Sequence, residues 1–202
     1  MSETLAPSGH ADRQRDVQKF VDSLEAEGRL TPAVKDSATL AIDIRRRHDV
    51  VIYLAGALTG MPETVKHRYE QLHRIIGSYS LEGATMFGYA PHLFGTDPVA
   101  HPDVTPAEVR DIDHMFAAVV PDYHINCLDP VAHGNAIEEA WAEAAGIPSL
   151  YLAHQDTRLS RLTRGMRNIA GTVTYEDFTD DALPAVRQFL DGIQAERLGR
   201  SD

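Results

Sequence analysis

From residue 49 onward the chain alternates short apolar runs with amphipathic stretches, and this rhythm constrains the fold more than any single residue does. "VVIYLAG" is a continuous apolar run ending in glycine, the pattern of a strand buried on both faces. A helical stretch over about 63–81 follows, with Val65, Tyr69, Leu72, Ile75 and Ile76 on one side. "ATMFGYAPH" reads as a second strand and 93–104 as an irregular loop. "TPAEVRDIDHMFAAVV" then opens with a threonine cap and a proline at the first helical position. "YHINCLDPV" and "PSLYLAH" read as third and fourth strands flanking a helix. "TRLSRLTRGM" reads as a short helix, "GTVTYE" as a fifth strand and "DDALPAVRQFLDGIQAERL" as a closing amphipathic helix. Strands separated in this way by helices predict a three-layer α/β/α arrangement around a five-stranded parallel sheet, flavodoxin-like or Rossmann-like. Ligands of such sheets lie beyond the C-terminal strand ends. Function is therefore expected in the loops "AGALTGMP", "APHLFGTDP", "DPVAHGNAIE" and "LAHQDTRLSRLTRG".

Ahead of this region the texture differs. Residues 1–10 are small and polar and are expected to be disordered. Val17, Phe20, Val21 and Leu24 recur at helical spacing until "GRLTP" interrupts them, and a second helix is expected over 32–47, with Val34, Ala38, Leu40, Ala41 and Ile44 inward. It ends in "RRRH", residues 45–48. Three arginines there complement the dipole of a helix C-terminus, and they also fit a basic contact with nucleic acid. The expected organisation is an N-terminal helical extension over 1–48 and an α/β domain over 49–202. The extension is read as a cap on that domain, part of its oligomer contact, or a segment for interaction with protein or DNA.

Composition narrows the function. A net charge of −11 argues against a grip on long DNA or RNA, while leaving room for a small nucleotide in a local pocket. One cysteine, Cys127, excludes an internal disulfide and fits a reducing compartment; it falls in a strand and is expected in the core. No apolar run approaches a membrane span, and "MSETLAPSGHADRQRD" lacks the features of a signal peptide, so a cytoplasmic protein is expected. The ten histidines form no metal-ligand pattern, so no metal or cofactor is expected. Ser149 and Ser160 lack the surroundings of a serine nucleophile.

The stretch "DPVAHGNAIEEAWAEAAGIP" carries the chemistry. Glu138 reads two ways. Asn135 is a good N-cap and a glutamate three residues on completes a capping box. In that frame Ile137, Ala140, Trp141 and Ala144 form the buried stripe, while Glu139 and Glu143 face solvent. The same geometry also places a carboxylate at the mouth of a parallel sheet, ionised by the helix terminus and able to attack an anomeric carbon. Gly134 and Ala136 are small enough for a sugar to approach the backbone. Gly56 and Gly60 flank the turn after the first strand, which lacks the ending of a P-loop.

Taken together, the motifs over about 50–190 resemble the nucleoside 2-deoxyribosyltransferase superfamily, and most of all its 2'-deoxynucleoside 5'-phosphate N-hydrolases. The matches are "YLAG" at 53–56, Arg110-Asp111 in a helix, "PDYHIN" leading to "HGNAIE", "AEAAGIP" after the glutamate, and "SRLTRG" at 160–165. The resemblance implies that Glu138 is the nucleophile, that Asp111 is the acid serving the base, with Asp113 its rival, and that Tyr53 stands beside the nucleophile. It implies substrate contacts from Gly56, Ala57, Thr59, Gly60, His133, Gly134 and Asn135, with His92 at the pocket edge. Ser160 is placed against the phosphate of a neighbouring subunit's ligand. It further implies a homodimer or higher homo-oligomer.

The chain departs from the family pattern at Ala57 and Thr59, where the phosphate-binding hydrolases carry Ser and Arg, and at Ala132 and Ala136. Arg158, Arg161, Arg164 and His133 are the groups that could hold a phosphate instead. The expected function is cleavage of the N-glycosidic bond of a nucleoside or nucleotide, by hydrolysis or base transfer. The alternative is a nucleotide-binding module of the same fold with weakened catalysis.

Overall fold

The computed structural model describes residues 10–57, 61–94 and 101–199, apart from the side chains of residues 10–12 and of His92. Helices α1 (His10–Ala26) and α2 (Pro32–Arg47) come first. Strand β1 (Val50–Gly56), helix α3 (Glu63–Ser78), strand β2 (Met86–Tyr89) and the single turn α4 (Pro91–Phe94) follow. Next are α5 (Pro106–His114), β3 (Tyr123–Cys127), α6 (His133–Ala144), β4 (Ser149–His154), β5 (Ile169–Tyr175) and α7 (Leu183–Leu198). All neighbouring strands are parallel, in the order β2-β1-β3-β4-β5. The expected five-stranded three-layer fold is thus present. The order reverses at β1, which opens a crevice at the C-terminal ends of β1 and β3.

The alternation of side chains along the strands builds two cores. Val50, Ile52, Leu54, Ile125, Cys127 and Leu152 point to the α3 and α7 side. Val51, Tyr53, Ala55 and Tyr89 point to the opposite side, where they bury together with Val17, Leu24, Val34, Ala41, Ile112 and Phe116. The apolar faces of α1 and α2 are therefore continuous with the core beneath β1.

Thr105 caps α5 as expected, with a full capping box to Glu108 and Pro106 in the first turn. The helix continues into a π turn over Met115–Val119. The stretch expected as a short helix after β4 contains only a 3-10 turn, Thr163–Gly165. Ser160 Oγ accepts from Thr163 N at 3.0 Å, which favours a turn over a continued helix.

"RRRH" resolves into unlike roles. Arg46 and Arg47 are exposed at the end of α2, whereas Arg45 is fully buried. Its guanidinium donates to both oxygens of Asp122, at 2.9 and 2.7 Å, and Asp122 also accepts from Val51 N at 2.8 Å. Arg13 Nε of α1 stands 3.9 Å from the same carboxylate. One buried ion pair thus ties both N-terminal helices to the start of β1.

Candidate active site

The sequence places one chemical group on each of three elements, and the fold brings them together. Tyr53 is the centre of β1, in register with Tyr89 of β2 and His124 of β3. Its ring stacks on Tyr89 at 5.8 Å and leans on His124 at 4.9 Å. His124 Nε2 donates to Ala117 O at 2.6 Å, which joins the sheet to the π turn after α5. Burial lowers this imidazole to about 4, so it is neutral, with its proton on Nε2. Around the Tyr53 hydroxyl stand Glu138 of α6, Asp113 of α5 and Tyr89. Tyr89 interacts with Asp113 and Glu138 in the same way. Two carboxyl groups and two phenols therefore converge where α5 and α6 cover β1 and β2.

The polar atoms of this cluster have little hydrogen bonding beyond the approach of Tyr53 to Glu138. Tyr53 Oη, Tyr89 Oη and Glu138 Oε2 are buried and complete no hydrogen bond of normal geometry within the protein. Buried polar groups are otherwise nearly always paired, because an unmet donor or acceptor costs about 1–3 kcal/mol. Asn126, on the same face of β3, has both amide atoms in this condition.

Glu138 differs from its expected setting. Helix α6 begins at His133 with Ala132 as N-cap, so Glu138 lies in the second turn and closes no capping box. Asn135 is not the cap; its Nδ2 donates to Cys127 O at 3.2 Å, pinning the helix to the end of β3. The inward line of α6 is Asn135, Glu139 and Ala142, while Ile137 is half exposed and Ala140 and Ala144 face solvent. This inverts the stripe expected from hydrophobicity, because α6 turns its carboxyl-bearing side to the sheet. Nor does the helix terminus hold Glu138 ionised. Burial first, and the nearby Asp113 second, push its carboxyl up to about 8, against a smaller downward pull from Tyr53. Burial alone raises Glu139 to about 7.

The two aspartates of α5 separate clearly. Asp111 is buried and held by Arg29, whose Nε donates to Oδ2 at 3.1 Å and whose Nη2 donates to Oδ1, with Arg110 at 3.2 Å. Asp113, two residues on and thus on the other side of the helix, is the one beside Glu138.

The remaining expected residues spread around this centre. Gly56 ends β1, and a Cβ there would be driven into the buried Tyr69 ring. Gly56→Ala is expected to lower stability by about 2 kcal/mol, read as a shift of the urea midpoint. Ala57 is buried, its carbonyl accepting from Tyr69 Oη at 3.3 Å. His133 and Gly134 are exposed in the first turn of α6. Thr59, Gly60 and the His92 side chain lie outside the described residues. Ser160 belongs to the loop after β4, beside an open cavity of about 690 Å³ lined by Tyr151, Arg158, Arg164 and Thr172 among others. None of Tyr53, Tyr89, Asp113 or Glu138 lines that cavity.

Asp129 was not among the expected residues. Its Oδ2 accepts from Arg68 Nη1 at 2.7 Å and Tyr175 Oη at 2.5 Å, and its Oδ1 from His154 N at 3.2 Å. These bonds fix the β3–α6 loop, which contains a cis Asp129–Pro130 peptide, and with it the position of α6. Among the described residues, no group of three His, Cys, Asp or Glu side chains is placed to hold a metal ion, and no helix is long and apolar enough to cross a membrane.

No protein-family model matches the chain, and no curated protein matches it. Solved structures do. A CMP N-glycosidase of Clostridium botulinum, BcmB, matches with a TM-score of 0.52 at 20% identity, over 69% of this chain and 98% of that one. A conserved protein of Enterococcus faecalis V583 matches with a TM-score of 0.52 at 18% identity, over the same shares of the two chains. A 2-deoxyribosyltransferase of Bacillus psychrosaccharolyticus gives 0.40 at 17% identity, over 65% and 89%. This chain is therefore built on the fold of the Clostridium botulinum N-glycosidase, the fold its motifs lead one to expect.

Proposed function

We propose that the chain cleaves the N-glycosidic bond of a nucleoside or nucleotide, with Glu138 as nucleophile and Asp113 as the acid that protonates the departing base. The observation that carries this reading is the convergence of Glu138, Asp113, Tyr53 and Tyr89 at the switch point of the sheet, with polar atoms buried and unmet. Glu138 attacks the anomeric carbon as the bond to the base breaks, and the proton of Asp113 goes to the base nitrogen. Water or a second base then releases the sugar from the ester and returns the carboxylate. Tyr53 Oη donates toward the Glu138 carboxylate, and Tyr89 Oη is free to meet a sugar hydroxyl. Asp113 takes the acid role in preference to Asp111, because Asp111 is already neutralised by Arg29. Since a protein of this fold is a CMP N-glycosidase, a pyrimidine 5'-monophosphate belongs in the first substrate panel. Assembly as a homo-oligomer is part of the same proposal.

Burial and the neighbouring Asp113 push the Glu138 carboxyl up to about 8, so this site holds a proton below that pH. A proton on Glu138 or on Asp113 gives the same charge, and the productive form has it on Asp113. Above about pH 8 the site loses this proton and no acid remains, so kcat/KM is expected to fall there. In Asp113→Asn the carboxyl repulsion is gone, Glu138 titrates lower, and the limb near 8 disappears along with about 100-fold or more of the rate. The assay is free base and free sugar released from a panel of nucleosides and 5'-monophosphates, with and without an acceptor base. Release from no member of the panel defeats the proposal.

A further inference from the structure

Helices α1 and α2 contact α5, which carries Asp113, and through α5 they reach α6, which carries Glu138. The loop between them sends Arg29 to Asp111 of α5, and Thr31 Oγ1 donates to Glu108 Oε1 of α5 at 2.5 Å. From α1, the Phe20 ring meets His114, the last residue of α5, edge-on at 5.3 Å, and His114 meets Trp141 of α6 at 4.9 Å. Trp141 lies one turn after Glu138 on the same helix. Contacts thus run from α1 through α5 to α6. Beneath them, Val17, Leu24, Val34 and Ala41 share one buried cluster with Ile112 and Phe116.

The geometry of α5 gives these contacts a consequence. Side chains two apart on a helix point to nearly opposite sides. Holding Asp111 toward Arg29 on one side of α5 therefore turns Asp113 toward Glu138 on the other. The Arg29 side chain keeps 39% of its surface exposed, so its ion pair contributes little to stability. What the bidentate fork fixes is orientation, since two parallel bonds resist rotation of the carboxylate about the helix axis. The π turn beginning at Met115 breaks the regular helical register immediately after this point, leaving the rotation of α5 to its tertiary contacts.

We propose that the N-terminal helical hairpin is part of the catalytic apparatus, with Arg29 the positioning residue that sets Asp113 against Glu138. This rests on the proposed function for the identity of the reaction, but not for the geometry.

Arg29→Met, Arg29→Lys and Thr31→Val test it in the full chain. In Arg29→Met, kcat for base release is expected to fall at least tenfold with KM within about threefold, the mark of a lost transition-state alignment. Arg29→Lys keeps a cation but not the fork and should recover only part of the rate. The midpoint of Glu138, followed by NMR of labelled glutamate without substrate, should drop below its wild-type position near 8 as Asp113 moves away. Unchanged kcat and an unchanged Glu138 midpoint in folded Arg29→Met would overturn the proposal. Should Arg29→Met fail to fold, Thr31→Val, which loses one hydrogen bond, takes its place. A fall of about threefold in kcat then supports the proposal and wild-type kcat overturns it. If the wild type releases no base at all, the proposed function fails while the Glu138 titration still decides this inference: a shifted midpoint supports it and an unshifted one overturns it.

Discussion

Glu138→Gln is expected to abolish base release, with a loss of at least ~1000-fold in kcat, while making the protein more stable. The two effects have one cause. The carboxyl is placed where burial and Asp113 oppose its charge, and its folded-state position is about 8. In the unfolded chain a glutamate titrates near ~4.3. Between these values the folded form holds a proton that the unfolded form has released, so stability falls as pH rises through that window. Below it the effect vanishes, and above about 8 the cost is constant. A glutamine never ionises and escapes the cost. Because Glu138 keeps part of its surface in contact with solvent, the gain is expected at about 1–2 kcal/mol at pH 8, or ~3–6 °C in Tm. The difference in Tm between variant and wild type should grow from pH 5 to pH 8 and then level off. A glutamate that served only as a cap would give the opposite result, a less stable variant with unaltered turnover.

The second large effect lies far from the chemistry. Asp122→Ala is expected to cost about 3–5 kcal/mol, because it leaves Arg45 buried without its carboxylate and removes the acceptor for Val51 N. Arg13 loses its counter-charge in the same step. The double variant Arg45→Met with Asp122→Leu removes both charges from the interior and should regain most of that loss in urea unfolding. If Asp122→Ala costs less than 1 kcal/mol, the pair does not tie α1 and α2 to the sheet as described.

The central strands β1 and β3 were readable because each is buried on both faces, so that "VVIYLAG" and "YHINC" are apolar without interruption save for His124 and Asn126. Those two exceptions mark the face that leads to the candidate site. The inner face of α6 was not readable, since hydrophobicity assigns Ile137 inward and Glu139 outward while the fold does the reverse. A helix that turns acids toward a sheet cannot be recognised from apolar spacing alone. Asp111 and Asp113 are equivalent by type and element, and only Arg29, 82 residues away in the chain, tells them apart. Tyr89 went unnoticed for a similar reason: nothing local marks it, and its partner Tyr53 is reached through the register of β1 with β2. In "RRRH" the sequence shows three equal arginines, and only the buried Asp122 singles out Arg45.

Trapping the sugar on the protein tests the central claim most directly. A 2-fluoro sugar analogue slows release of the ester, so incubation followed by mass spectrometry of proteolytic fragments should find one sugar covalently attached at Glu138, and none in Glu138→Gln. Attachment at another residue, or normal base release by Glu138→Gln, would contradict the account.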